Sequence, residues 1–350
     1  MSKCGEDLEK VLVGMSGGVD SSASAVILKN QGYSVTGVTL SLCGEDNEKN
    51  ISDAKSVCNK LGIEHCESDL KTEFKKYVID DFINQYINGK TPNPCLECNK
   101  HIKFGKMLDI ALQNGCGKIA TGHYARIKKN DDGRYLLLRA KHIEKDQSYV
   151  LYSLTQYQLS HTLFPLGDYS KDEVREIARQ NDLICADRPD SQDICFVPDG
   201  DYASFIEEYS SFSSTSGKYI AVDGKVLGEH KGVIHYTIGQ RKGLGIALGK
   251  PQFVIDKNPL NNTVVLGDEE HLFKKEVLVT DVNFIPFDKL EGEMRVTAKL
   301  RYRHKDQPAT IYPEGENLRI VFDEPQRAPS PGQAAVFYDG DIVVGGGIII

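Results

Sequence analysis

The sequence has no excess of basic charge. Its 42 Lys and Arg face 50 Asp and Glu, a formal net charge of -8 over 350 residues. That balance excludes a protein that coats nucleic acid indiscriminately, because such binding is driven by counterion release to clustered cations. It leaves room for a local basic patch. No run of about 18 apolar residues occurs, so no membrane-spanning helix is expected, and Met1 to Lys10 mixes acidic and basic residues without an apolar leader. With 13 prolines and 40% hydrophobic residues, the chain has the apolar mass for a substantial core, which excludes disorder as its main state. Cysteine is the exception to these scarcities. There are nine, an odd number at irregular spacings, unlike a secreted disulfide framework. A protein of the reducing cytoplasm is expected.

At roughly 150 residues per domain the length favours two or three domains. The first half alternates short apolar runs with helical periods. Val11 to Val13 reads as a buried strand, Ser22 to Gln31 as a helix closed by Gly32, and Tyr33 to Leu40 as a second strand; a helix ending at Gly62 and a strand from Ile63 to Cys66 follow. This βαβαβ pattern predicts an α/β domain with a parallel sheet. Ser170 with Glu173 forms a capping box. The serine-rich stretch 210–217 suits a linker. Beyond it come short strands with Gly and Asn turns, and a last set, Val277 to Val282, Arg295 to Leu300, Leu318 to Phe322 and Ala334 to Tyr338, predicts a small β-barrel. The expected domains are 1–209 (catalytic), 210–275 (central, β-rich) and 276–350 (C-terminal β-barrel).

The strongest local signal is Gly14-Met15-Ser16-Gly17-Gly18-Val19-Asp20-Ser21-Ser22, between the first strand and the first helix. Glycines let backbone approach an anion closely, and a helix N-terminus offers N–H groups and a positive dipole end, so phosphate binding is expected. The Gly-Lys-Ser/Thr ending of a Walker A loop and the GxGxxG pattern are both missing. An ordinary βα turn with capping serines is the plainer reading. The string resembles the PP-loop ATP pyrophosphatases, which cleave ATP between its α and β phosphates and use AMP to activate a substrate oxygen. That resemblance implies that Ser16, Gly17, Gly18, Ser21 and Ser22 hold pyrophosphate and that Asp20 helps place Mg2+, a hard cation suited to oxygen ligands. Leu40 falls at the carboxyl edge of the second strand, where nucleotides bind in open α/β sheets, or is a plain core leucine.

Thr91-Pro92-Asn93-Pro94-Cys95-Leu96-Glu97-Cys98-Asn99-Lys100 runs into a helical period carrying Ile102, Phe104, Met107 and Leu108. A thiol at a helix N-terminus is favoured as thiolate, which makes Cys98 a credible nucleophile. A structural zinc site, a dithiol redox pair and two buried cysteines compete, although no second Cys or His pair at matching spacing accompanies it. Cys195 stands in Asp190-Ser191-Gln192-Asp193-Ile194-Cys195-Phe196-Val197, where alone it reads as a core cysteine.

Together with Thr-Gly-His-Tyr-Ala-Arg at 121–126, Lys145-Asp146-Gln147-Ser148, Gly239-Gln240-Arg241-Lys242-Gly243-Leu244 and Arg301-Tyr302-Arg303, these strings resemble the bacterial tRNA-specific 2-thiouridylases nearly end to end. That family replaces the C2 oxygen of a tRNA wobble uridine with sulfur. The resemblance implies ATP bound by Gly14 to Ser21, Leu40 and Gly122. It implies a persulfide on Cys195, delivered by a sulfur-relay protein or cysteine desulfurase, and Cys98 as the nucleophile that releases sulfide and closes a disulfide with Cys195. Asn93, Pro94 and Cys95 would meet the target base. His123, Lys145, Asp146, Gln147, Arg301, Tyr302, Arg303 and Gln333 would meet tRNA. Read without the resemblance, His123 is equally a hydrogen-bonded structural histidine, Lys145 a solvated charge, and the loop 239–249 a connection between strands.

One departure matters. Familiar members carry Asp where this chain has Cys95. Cys95, Cys98 and Cys195 could then supply three ligands of a [4Fe-4S] cluster with an open fourth iron, so cluster chemistry and persulfide relay both stay open. Two other functions compete: a PP-loop ligase acting on a small molecule, which has no use for Cys98 and Cys195, and a non-catalytic tRNA- or metal-binding module.

Overall fold

Lys10–Gly14 (β1) carries Val11, Leu12 and Val13, all at or below 1% exposure. A strand apolar on both faces belongs at the centre of a covered parallel sheet, and β1 lies there. The computed structural model describes residues 8–43, 47–186, 194–197 and 199–350. These fall into two compact units, the first formed by residues up to 78, from 95 to 186 and 341–343, the second by 79–94, from 194 to 340 and 344–350.

In the first unit β1 is flanked by Ser34–Ser41 (β2), then Glu64–Asp69 (β3), on one side and by Lys118–Ala120 (β4) on the other. Ala125–Lys129 (β5) and Tyr135–Arg139 (β6) form an antiparallel hairpin around Asp132-Gly133, and Thr162–Leu163 (β7) completes the parallel sheet. Its order is β3-β2-β1-β4-β7. The chain direction across the sheet reverses between β1 and β4, the place where open α/β sheets form a crevice at their carboxyl ends. The loops leaving β1 and β4 are Met15 to Gly18 and Thr121 to His123. Helices Val19–Asn30 (α1) and Asn47–Leu61 (α2) pack Ala23, Val26, Ile27, Ala54, Val57 and Cys58 into the core over the sheet. α1 starts three residues before the expected Ser22, so the connecting loop is tight.

In the second unit, Gly217–Ala221 (β8), Val226–His230 (β9), Phe253–Asn258 (β10) and Thr263–Gly267 (β11) make a sheet of order β10-β11-β8-β9. Phe273–Phe284 (β12), Met294–Lys299 (β13), Gln307–Glu314 (β14), Asn317–Arg327 (β15), Ala334–Asp339 (β16) and Ile342–Ile349 (β17) run in the order β12-β15-β14-β13-β16-β17. Pairing of β12 with β17 closes the barrel over Val279, Val296, Ile311, Ile320, Phe322 and Phe337. The serine-rich stretch is not a slack linker. Ser214 Oγ donates to the Lys231 carbonyl at 2.7 Å, and Asn262 Nδ2 donates to the Thr215 carbonyl at 3.0 Å. Among the described residues no helix is long and apolar enough to cross a membrane.

Candidate active site

The phosphate loop is built from inside. Gly17 has φ +73°, and a Cβ there would lie 3.0 Å from Asp53 Cβ and 3.1 Å from the Asn50 carbonyl, so only glycine fits. Ser21 Oγ accepts from the Ser16 N–H at 3.2 Å and donates to the Gly18 carbonyl at 3.1 Å, and Ser22 Oγ donates to the same carbonyl at 2.8 Å. These two buried hydroxyls hold the loop's shape, while Ser16 is exposed at its tip. Gly18 caps α1 without a side-chain acceptor, leaving the first-turn N–H groups of a 12-residue helix for an external anion. Val19 is buried beneath. Met15 lies in the core, its N–H donating to the Val38 carbonyl at 2.7 Å. Thr39 Oγ1 donates to the Met15 carbonyl at 3.0 Å and is 2.9 Å from His65 Nε2, one strand position before the partly exposed Leu40. The carboxyl end of β2 is thereby tied to the loop.

Gly122, leaving β4, explains itself by contact. A Cβ there would meet Asp20 C and Cβ at 2.9 Å and Ser21 N at 3.0 Å. The residues around Asp20 include two that sequence reasoning missed. Tyr124 donates its hydroxyl to Asp20 Oδ1 at 2.7 Å, and Lys171 Nζ lies 2.9 Å from both carboxylate oxygens. His123 has Nδ1 2.8 Å from Thr121 Oγ1 and its ring between Phe104 and Phe164, at centroid distances of 5.8 and 6.1 Å. Burial pushes its pKa well below the usual value, and the Lys103 charge adds to the shift, so the ring is neutral at pH 7.

The cysteine helix begins earlier than the sequence reading placed it. Pro94–Glu97 is α-helical, Cys98–Lys106 follows as a π-helix, and Met107–Gln113 returns to α. Cys95 therefore lies in the first turn and is exposed, while Cys98 lies in the second turn and is buried. Cys95, rather than Cys98, therefore stands nearest the positive end of the helix dipole. The wide turns after Cys98 are held from outside: Gln158 Nε2 donates to the carbonyls of Phe104 at 2.9 Å and Lys100 at 3.3 Å, and buried Asn99 donates Nδ2 to the Val150 carbonyl at 2.9 Å. His101 stacks on Tyr77 at 4.7 Å and pairs with Glu97 at 3.2 Å. Such π segments recur at functional sites.

The expected tRNA loop divides by role. Lys145 is partly exposed. Asp146 is buried, accepting from the N–H groups of Ala140 and Ser148 at 2.9 and 3.2 Å and from Ser148 Oγ at 2.8 Å. Gln147 Oε1 accepts from the Tyr124 N–H at 3.1 Å. Asp146 and Gln147 shape the loop through these bonds.

In the second unit, exposed Cys195 is followed by anchors. The Phe196 ring lies 5.3 Å from those of Phe82 and Phe205, and Val197 is buried. Asp190 to Asp193 lie outside the described residues. Thr91, just before Pro92 and Asn93, is gripped from both sides: its N–H donates to the Pro331 carbonyl at 2.8 Å, and Gln333 Nε2 donates to its carbonyl at 2.6 Å. Gln333 thus positions the segment leading to Asn93 and Pro94. Arg301 Nη2 donates to Ser330 Oγ at 2.7 Å and to the carbonyls of Ala328 and Ile238 at 2.9 and 3.3 Å, linking the barrel to the loop that precedes Arg241 and Lys242. Tyr302 and Arg303 are exposed, with Lys299 Nζ 5.6 Å above the Tyr302 ring. Burial lowers the His304 pKa, and the charges of Arg301, Lys299 and Arg327 lower it further, the sign of a locally basic surface on an acidic chain.

Among the described residues no three Cys, His, Asp or Glu side chains gather closely enough to hold a metal ion.

Three family models match successive stretches: a "tRNA methyl transferase HUP domain" at residues 9–199, a "tRNA methyl transferase PRC-barrel domain" at 203–268 and an "Aminomethyltransferase beta-barrel domain" at 274–349. Over 97% of its length the chain is 54% identical to a protein of Clostridioides difficile named tRNA-specific 2-thiouridylase MnmA, covering 98% of that protein. It is 51% identical, again over 97%, to the protein of that name from Acetivibrio thermocellus, covering 99% of it.

Proposed function

Because the chain belongs to the tRNA-specific 2-thiouridylase family, we propose that it thiolates the C2 position of a wobble uridine in tRNA at the expense of ATP. One observation carries the reading: a single unit holds both an uncapped helix N-terminus behind the Ser16 to Gly18 loop and the buried Cys98 of the π-helix. Phosphate chemistry and sulfur chemistry are both needed, because an oxygen on a urea-like carbon leaves poorly until it is adenylated.

The uridine O2 attacks the α-phosphorus of ATP, forming the O–P bond as pyrophosphate leaves. The loop N–H groups of Gly17, Gly18 and the first turn of α1 hold the departing phosphates. Asp20 would lend its carboxylate to holding Mg2+, which would neutralise charge on the leaving pyrophosphate. Cys98 thiolate then attacks the inner sulfur of a Cys195 persulfide. A Cys98–Cys195 disulfide forms and hydrosulfide is released; it adds to C2, and AMP leaves with the former O2. An external thiol reductant reopens the disulfide for the next turnover. The exposure of Cys195 suits a sulfur-relay protein or desulfurase as donor. Cys95 carries no sulfur in this relay.

The organisation that goes with this reading is a catalytic domain (1–209), a central β-rich domain (210–275) and a C-terminal barrel (276–350), with Lys145, Tyr302, Arg303 and the loop at Arg241 and Lys242 facing tRNA. The separation of the three family models supports it. The test is pyrophosphate release from ATP with and without tRNA. Release that requires tRNA supports the reading, and tRNA-independent release with an added amine or small acid would favour a small-molecule ligase.

A further inference from the structure

Lysine at the first position of a helix is electrostatically misplaced, since the N-terminal end of the dipole is positive. Lys171 holds that position in Lys171–Gln180, after the Ser170 cap. It is also buried, with its side chain 9% exposed. A buried cation at the positive end of a helix persists only if a fixed anion compensates it. That anion is Asp20, in the first turn of α1, whose two carboxylate oxygens lie 2.9 Å from Lys171 Nζ and whose Oδ1 also accepts from the Tyr124 hydroxyl at 2.7 Å.

Asp20 sits where ATP phosphates are proposed to bind, and a bare carboxylate at a helix N-terminus competes with phosphate for the same N–H groups and repels it. We propose that Lys171 is a positioning residue of the ATP site: it holds Asp20 as half of a neutral pair, so that the loop accepts the triphosphate before any divalent ion arrives. Lys171 acts through Asp20, because its own ammonium is buried against the carboxylate. Tyr124 fixes the pair's geometry, its ring 6.0 Å below Lys171 Nζ. The inference rests on the ATP-site part of the proposed function and is independent of sulfur transfer.

The experiment is calorimetric titration of ATP into the full chain, once in EDTA and once in Mg2+, for wild type, Lys171→Met, Lys171→Arg and the double variant Asp20→Asn/Lys171→Met. Wild type binds ATP in both buffers. Lys171→Met loses about tenfold or more in EDTA, with most of the loss recovered in Mg2+, which replaces the missing positive charge. Lys171→Arg stays near wild type, and the double variant, with no charge left to compensate, recovers binding in EDTA. A merely structural lysine would weaken ATP binding equally in the two buffers, and that result overturns the proposal; so does a wild type that binds ATP only with Mg2+, or a double variant no better than Lys171→Met. If the single variant fails to fold, the wild-type and double-variant titrations in EDTA still decide. No step uses tRNA or sulfur, so a chain that binds ATP as described but makes no thiouridine would overturn the family reading and leave this one standing.

Discussion

Gln147 and Tyr124 clasp each other through two hydrogen bonds: the Gln147 N–H donates to the Tyr124 carbonyl at 2.9 Å, and the Tyr124 N–H donates to Gln147 Oε1 at 3.1 Å. The Tyr124 hydroxyl in turn reaches Asp20. A loop expected to meet tRNA is therefore one residue removed from the phosphate loop. Gln147→Ala keeps the backbone bond and loses the side-chain one, worth about 1 kcal/mol. ATP binding should weaken about fivefold, whereas Lys145→Ala should weaken tRNA binding and leave ATP binding unchanged. Equal ATP affinities for the two variants would separate the loops.

Gly122→Ala should damage the phosphate loop without touching the cysteines. Its methyl would stand 2.9 Å from Asp20 C and 3.0 Å from Ser21 N, backbone that cannot give way cheaply. Overpacking of this kind costs roughly 1–3 kcal/mol, so ATP binding should fall about 5- to 150-fold. A sulfide-release assay that needs no ATP should be unaffected.

The cysteines separate by assay. Cys98→Ser and Cys195→Ser should each abolish thiolation while leaving tRNA-dependent pyrophosphate release, because adenylation needs neither sulfur. Cys95→Ser should retain thiolation. The matching analysis is iron and acid-labile sulfide in anaerobically purified protein: an active preparation without iron is expected. Stoichiometric iron lost together with activity in Cys95→Ser would instead establish the cluster.

Much of the first unit was legible because its strands advertise themselves. Val11 to Val13 could only be a central strand, and Ser170 with Glu173 forms the capping box it promised. β14 was not legible, because Pro308 and Pro313 break the signal of a strand the barrel nevertheless pairs on both sides. β17 was hidden by Gly345 to Gly347, required where a Cβ at 345 would lie 2.1 Å from the Asn283 carbonyl. The Cys98 helix was started too late even though Pro94 is a good first helical residue, with φ preset and no N–H to lose. Lys171 was invisible for a different reason: its partner is 151 positions away, and only the fold brings them together. Asp146, Gln147 and Arg301 were noticed as polar residues in suggestive strings, and Gln333 only through the family resemblance; their internal hydrogen bonds could not be read from the chain.

Gly332→Ala should disturb the segment before the cysteine helix from a distance. Gly332 has φ +89°, and a Cβ would stand 2.9 Å from Lys90 Cβ and 3.0 Å from Thr91 N. A melting temperature lower by several degrees and reduced thiolation are expected, since ~1–3 kcal/mol is typical of strain at such a site. An unchanged melting curve would show that the contact yields.

Stability should fall as pH drops. Burial lowers the pKa values of His123 and His230, so both are neutral in the fold and bind protons more readily when unfolded. Below the unfolded value of about 6.5 the unfolded state holds more protons, and each group draws off up to about 1.4 kcal/mol per pH unit until its folded pKa is reached. His123→Gln should flatten the dependence of melting temperature on pH between 6.5 and 5; an identical slope would mean that the ring is already protonated in the fold.

The most direct measurement is mass analysis of nucleosides from tRNA incubated with the protein, ATP and a persulfide donor, aerobically and anaerobically. A 2-thiouridine product that requires ATP, Cys98 and Cys195 is the predicted result. Its absence under both atmospheres, with the protein folded and binding ATP, would contradict the assignment.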